Sequence, residues 1–132
     1  MLENEKPLKP SKNQIREWGD IAFIDLDNGM TAIIDRVDIP QIRNYKWRAV
    51  KSSRLWYAKT TVGSGKKQVD LSLHRMLAKT PPHLVCHHKH RNSMDNRKSE
   101  LENMTHAAHS ALHRMNNLIV QFEQKKSRSL QV

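Results

Sequence analysis

The stretch CHHKHRNSMDNRKSELENMTHAAHSALH, Cys86 to His113, holds six of the eight histidines in the chain. It opens on a short apolar run, LVCH, that reads as a strand, and continues through a polar loop from His88 to Asn96. SELENM then reads as a second short strand. Thr105 stands where a helix N-cap belongs, and HAAHSALHRMNNLIVQFEQKK has the period of a helix of about five turns. Ala108, Leu112, Met115, Ile119 and Phe122 form one apolar stripe, while His109 and His113 stand one above the other on a neighbouring face, with His106. Consecutive strand residues point to opposite faces. One of His87 and His88 therefore faces the helix and can share a metal ion with His109 and His113, and the other is left to take a proton. Three protein nitrogens with an open position suit a catalytic metal site better than a closed structural one. For phosphodiester cleavage the division is useful: a cation neutralises phosphate charge and an imidazole activates water.

Outward from this segment, the first half reads as small antiparallel sheets. IAFIDLD and MTAII flank Asn28-Gly29, a pair that favours a type I′ hairpin turn. Asp38-Ile39-Pro40 is expected to cap a short helix running to Tyr45. KWRAVK and LWYAKTT are strands separated by Ser52-Ser53-Arg54, VGSGKK is a turn into QVDLSL, and Leu73 to Ala78 is a short helix stopped before Pro81-Pro82. Trp47, Trp56 and Tyr57 are expected in the core, since aromatics are scarce. Cys86 reads as a small buried side chain. His90 and His106 read as solvated or phosphate-contacting residues, and His83 and His74 as structural or surface ones, with His74-Arg75 able to touch a phosphate.

The charge is uneven. The 132 residues carry 23 Lys and Arg against 13 Asp and Glu, net +10. Residues 43–79 hold ten basic side chains against Asp70 alone, whereas residues 1–42 are net acidic. The partner expected for such a surface is a polyanion, here double-stranded DNA. One cysteine excludes an internal disulfide and a four-cysteine zinc ribbon. No apolar run reaches the roughly 18 residues of a membrane span, and no leader pattern opens the chain, so no membrane is expected and the location is expected to be cytoplasmic. The regions expected are a flexible tail at 1–17, a β-rich basic DNA-contacting region at 18–80, the histidine-rich segment at 81–123 and a flexible basic tail at 124–132.

His87-His88, Asp95-Asn96-Arg97, Leu101, Thr105, and His109 with His113 four residues on together resemble the HNH (His-Me finger, ββα-metal) nucleases, most closely small phage and intron-encoded members. Val37-Asp38, Tyr45-Lys46-Trp47, Tyr57-Ala58 and Leu73-His74-Arg75 extend the resemblance upstream. It implies an α+β fold: an N-terminal antiparallel β-rich region followed by a C-terminal ββα-metal finger. It also implies a DNA endonuclease with His88 as general base and with His87, His109 and His113 as ligands of one divalent ion, Mg²⁺ or Mn²⁺ with Zn²⁺ as the alternative. The products would be 5′-phosphate and 3′-hydroxyl ends. One site per monomer would nick; monomer or homodimer stays open. DNA contacts are expected from Arg97, Arg91, Arg75, His74, Lys59, Lys66 and Lys67. By spacing, the family's central asparagine falls at Glu100, which is expected to act at the site as a carboxylate while Asn96 or Asn103 ties the loop. A catalytically weak DNA-binding protein and a structural zinc module that includes Cys86 are the competing expectations.

Overall fold

Apolar residues alternate with polar ones in IAFID and TAIID, and the two stretches pair face to face. In the computed structural model, which describes residues 12–129, β1 (Ile15–Trp18), β2 (Ile21–Asp25) and β3 (Thr31–Asp35) form an antiparallel sheet in that order. Ala22 lies opposite Ile34 and Ile24 opposite Ala32, so each large side chain meets a small one, and all four are fully buried. The β2–β3 turn is as expected: Asn28 and Gly29 both have positive φ, and the Met30 N–H donates to the Asp27 carbonyl at 3.3 Å.

A second antiparallel sheet comprises β4 (Arg48–Ser52), β5 (Leu55–Val62) and β6 (Val69–Ser72). Between the sheets, α1 spans only Ile39–Ile42, short of the expected Tyr45. Asp38 does not cap it through its side chain; its carboxylate instead holds Lys98 Nζ at 2.9 Å. Trp47 is the largest fully buried side chain, with its indole N–H donating to the Ile42 carbonyl at 3.0 Å. After β6, α2 (Leu73–Leu77) buries Leu73 and Leu77 against the same core.

The tail expected at 1–17 is corrected over its described part. Ile15–Trp18 is β1, paired with β2, and Asn13 is buried. Asn13 Nδ2 donates to the Trp47 and Asp25 carbonyls, and its Oδ1 accepts the Trp47 N–H at 2.8 Å. A tie of this kind has no hydrophobic period, so it left no pattern to read. Residues 1–11 lie outside the described residues. Asn13→Ala strands both buried backbone groups of Trp47, and a loss of about 2–4 kcal/mol in stability is expected, measurable as a shift in the urea midpoint.

The last part contains β7 (Val85–His88), β8 (Leu101–Met104) antiparallel to it, and α3 (His106–Ser129). Thr105 Oγ1 accepts the Ala108 N–H at 3.1 Å, the expected N-cap. The tail expected from 124 is corrected as well, since α3 runs on to Ser129. Gln, Lys and Arg favour helix without adding an apolar period, and it was the period that set the earlier limit. Residues 130–132 lie outside the described residues. The β7–β8 connection docks on β3: the Ile33 N–H donates to the Met94 carbonyl at 2.8 Å, and the Asn96 N–H donates to the Ile33 carbonyl at 2.7 Å. The first sheet thus braces the loop of the histidine-rich segment. The fold is mixed α+β, with three small antiparallel sheets and a C-terminal helix. Among the described residues, no helix is long and apolar enough to cross a membrane.

Candidate functional site

Strand alternation on β7 separates the paired histidines. His87 turns toward α3, where one ring nitrogen from each of His87, His109 and His113 lies within 4.8 Å of the others. The His109 and His113 rings are 4.4 Å apart, with their Nε2 atoms 3.1 Å apart. His87 sits 5.3 Å from the first ring and 6.1 Å from the second. Two nitrogens bound to one zinc ion at about 2.0–2.1 Å in a tetrahedron would be roughly 3.3 Å apart; the His109–His113 pair is near that spacing, and the three residues together could hold a cation. Burial, and then the neighbouring imidazoles, hold His87 and His109 below the ordinary histidine value, which keeps lone pairs available for coordination.

His88 turns the other way and is buried, with its Nε2 3.0 Å from Asn96 Oδ1. The Asn96 amide is itself fixed, because Nδ2 donates to the Met94 carbonyl at 3.1 Å. Its Oδ1 can only accept, so His88 carries its proton on Nε2 and keeps the lone pair on Nδ1. Asn96 is therefore the residue that ties the loop to His88. Burial lowers the His88 pKa, and the Asn96 hydrogen bond and the Asp95 charge act in the opposite direction. Asn96→Ala is expected to cost about 1–3 kcal/mol of stability, because it leaves a buried N–H unpaired. It should also release the tautomer, seen as a change in the His88 ring ¹⁵N shifts.

Against the ring of His88 lie His74 of α2, 4.9 Å away, and Tyr57 of β5, 6.0 Å away. Burial, helped by the charges of His88, Arg75 and Lys59, lowers the His74 pKa to about 3. His74 therefore packs on His88 as a neutral ring and also lines the cleft. Tyr57, expected in the core, lines the cleft instead, because it and Lys59 share the face of β5 opposite the buried Ala58 and Thr60.

Other expectations need revision. Glu100 is turned to His90, with which its carboxylate forms a short ion pair, and it lies 3.9 Å from Arg97. It closes the 3-10 turn Lys98–Glu100 and is not one of the clustered histidine-site ligands. Asn103, the other candidate for tying the loop, donates to the Ala78 carbonyl. Arg97 is held bidentately by Asp95, at 2.9 and 2.7 Å, and Arg75 donates to the Leu84 and Pro81 carbonyls. Both guanidiniums brace the loops as well as carrying charge. Cys86 Sγ faces the His74 carbonyl at 3.7 Å, outside the histidine trio. Lys66 and Lys67 occupy the β5–β6 turn, at the opposite end of that hairpin from Lys59.

The trio and His88 open onto one cleft of about 800 Å³. Lys59, Arg75 and Arg91 line it. So does Arg54, which was not singled out, together with the β4–β5 turn around it. Only its place between two strands hinted that it sits at a hairpin tip. Comparisons of the chain with protein-family models, curated proteins and solved structures return no match.

Proposed function

We propose that this chain is a divalent-metal-dependent endonuclease that hydrolyses DNA phosphodiester bonds, built on a ββα-metal finger formed by β7, β8 and α3. The observation that carries the reading is the division of labour at one strand end. His87 joins His109 and His113 as a three-nitrogen donor set, while the adjacent His88 is held apart by Asn96 with its lone pair on Nδ1. Both open onto a cleft edged by Arg54, Lys59 and Arg91.

His87, His109 and His113 would hold the cation, which when bound would supply charge neutralisation at the scissile phosphate, worth several kcal/mol. His88 Nδ1 accepts a proton from the attacking water as the new P–O bond forms. The bond to the 3′ oxygen breaks, and that oxygen takes up a proton from solvent, which leaves 5′-phosphate and 3′-hydroxyl ends. Asn96 fixes the ring plane and tautomer for this transfer. The cleft's basic side chains would hold the backbone, mostly without reading sequence. Three imidazoles without a carboxylate suit Zn²⁺ or Ni²⁺ better than Mg²⁺ or Mn²⁺.

The test is incubation with supercoiled plasmid in each of these ions, with and without chelator. Open circles are expected to accumulate before linear product, fastest with the borderline ions, and to stop with chelator. Plasmid left intact in every ion, or cut equally well with chelator present, would contradict the proposal.

A further inference from the structure

Beyond the histidines, α3 leaves the body of the protein and carries its apolar residues into solvent. Met115, Leu118, Ile119 and Phe122 are 60%, 65%, 49% and 70% exposed. Together they expose on the order of 500 Å² of apolar surface, at the upper end for a monomer. The segment contains Asn116, Asn117, Ile119, Val120 and Phe122, all middling helix formers. Such a helix gains little by itself and depends on cover for its apolar face.

The spacing specifies the cover. Ala108, Leu112, Met115, Ile119 and Phe122 are separated by four, three, four and three residues. This is a 3.5-residue repeat, the mark of a seam that meets another helix. The seam lies about a quarter-turn from the face bearing His109 and Asn116, so a partner helix can lie beside the body without displacing β7. Covering it on two copies removes roughly 1,000 Å² in total, the lower limit for a specific interface.

We propose that the partner is α3 of a second copy, packed antiparallel. Charge selects the direction. Each chain is net +10, and most of the excess lies in the body at the N-terminal end of α3. A parallel pair would set both bodies side by side and stack Lys126 on Lys126, whereas an antiparallel pair separates them. Centred on Asn117, the antiparallel register packs Leu112 against Phe122 of the second copy and Met115 against its Ile119. Lys126 of the second copy then reaches over Ala108. The same register brings Glu123, the one acidic residue of α3, from the second copy alongside His109. Each copy thereby sets a carboxylate beside the other's histidine trio, and the two trios stand about 18 Å apart along the helix axis.

The test reads mass and so does not depend on cleavage. Sedimentation of the full chain, without metal or DNA, is expected to show a species of twice 15.4 kDa at tens of micromolar. Ile119→Glu is expected to weaken association at least 100-fold. In a Cys86→Ser background, oxidising a mixture of Leu112→Cys and Phe122→Cys chains should yield the mixed cross-link. A monomer at 200 µM overturns the proposal, as does an assembly larger than two. Cross-links only between like positions overturn the antiparallel arrangement. Should Ile119→Glu fail to fold, the wild-type mass and the cross-links still decide the matter.

Discussion

His88→Ala is expected to lower plasmid nicking by about 10²–10⁴-fold, the usual contribution of a positioned general base, while cation affinity stays within about twofold. The argument rests on which way the two adjacent rings face. His87 belongs to the trio, whereas His88 lies between Asn96, His74 and Tyr57 on the other side of β7. Loss of the His88 ring therefore removes the proton acceptor and leaves every nitrogen of the donor set in place. Because His88 is buried, alanine also opens a cavity beside Tyr57, and His88→Asn serves as the space-filling control. Both variants should lose cleavage while keeping calorimetric cation binding. Wild-type cleavage by both would remove His88 from the mechanism. Lost cleavage together with lost cation binding would instead mean that His88 supports the trio.

What could be read from the sequence differs by the kind of information each feature needs. The opposition of His87 and His88 follows from strand alternation, and the stacking of His109 on His113 from helical rise; both are local geometry. The Asn28-Gly29 turn is legible for the same reason. Asn96 is another matter. Spacing pointed to position 100 for the loop-tying residue, yet the loop turns Asn96 inward because its backbone N–H is pinned to Ile33 on a strand more than sixty residues earlier. Arg97 and Arg75 read as phosphate contacts because a basic side chain shows its charge in a sequence but not its partner. Asp95 and two backbone carbonyls, supplied by the folded loops, decide their geometry. Glu100, for its part, faces His90 and Arg97.

At the trio the largest change should appear in binding. His109→Ala is expected to weaken divalent-cation affinity by at least about 10²-fold, more than the loss of an outer-shell partner typically costs, and to abolish metal-dependent nicking. The fold should survive. The core formed by Trp47, Ile24, Ile34, Ile42 and Leu73 includes none of the three histidines, and α3 packs mainly against β7. His109 is only half-buried on the helix surface, so its truncation empties little packed volume. Chelator is therefore expected to leave the sheets folded, in contrast to a structural zinc module, whose folding free energy is its binding free energy. Cation at 100 times its dissociation constant should stabilise the wild type by about 2.7 kcal/mol, seen as a rise in Tm that His109→Ala lacks. Cooperative unfolding on addition of chelator would make the site structural. An undiminished rise in Tm for His109→Ala would place the cation elsewhere, and the donor set drawn from β7 and α3 would have to be abandoned.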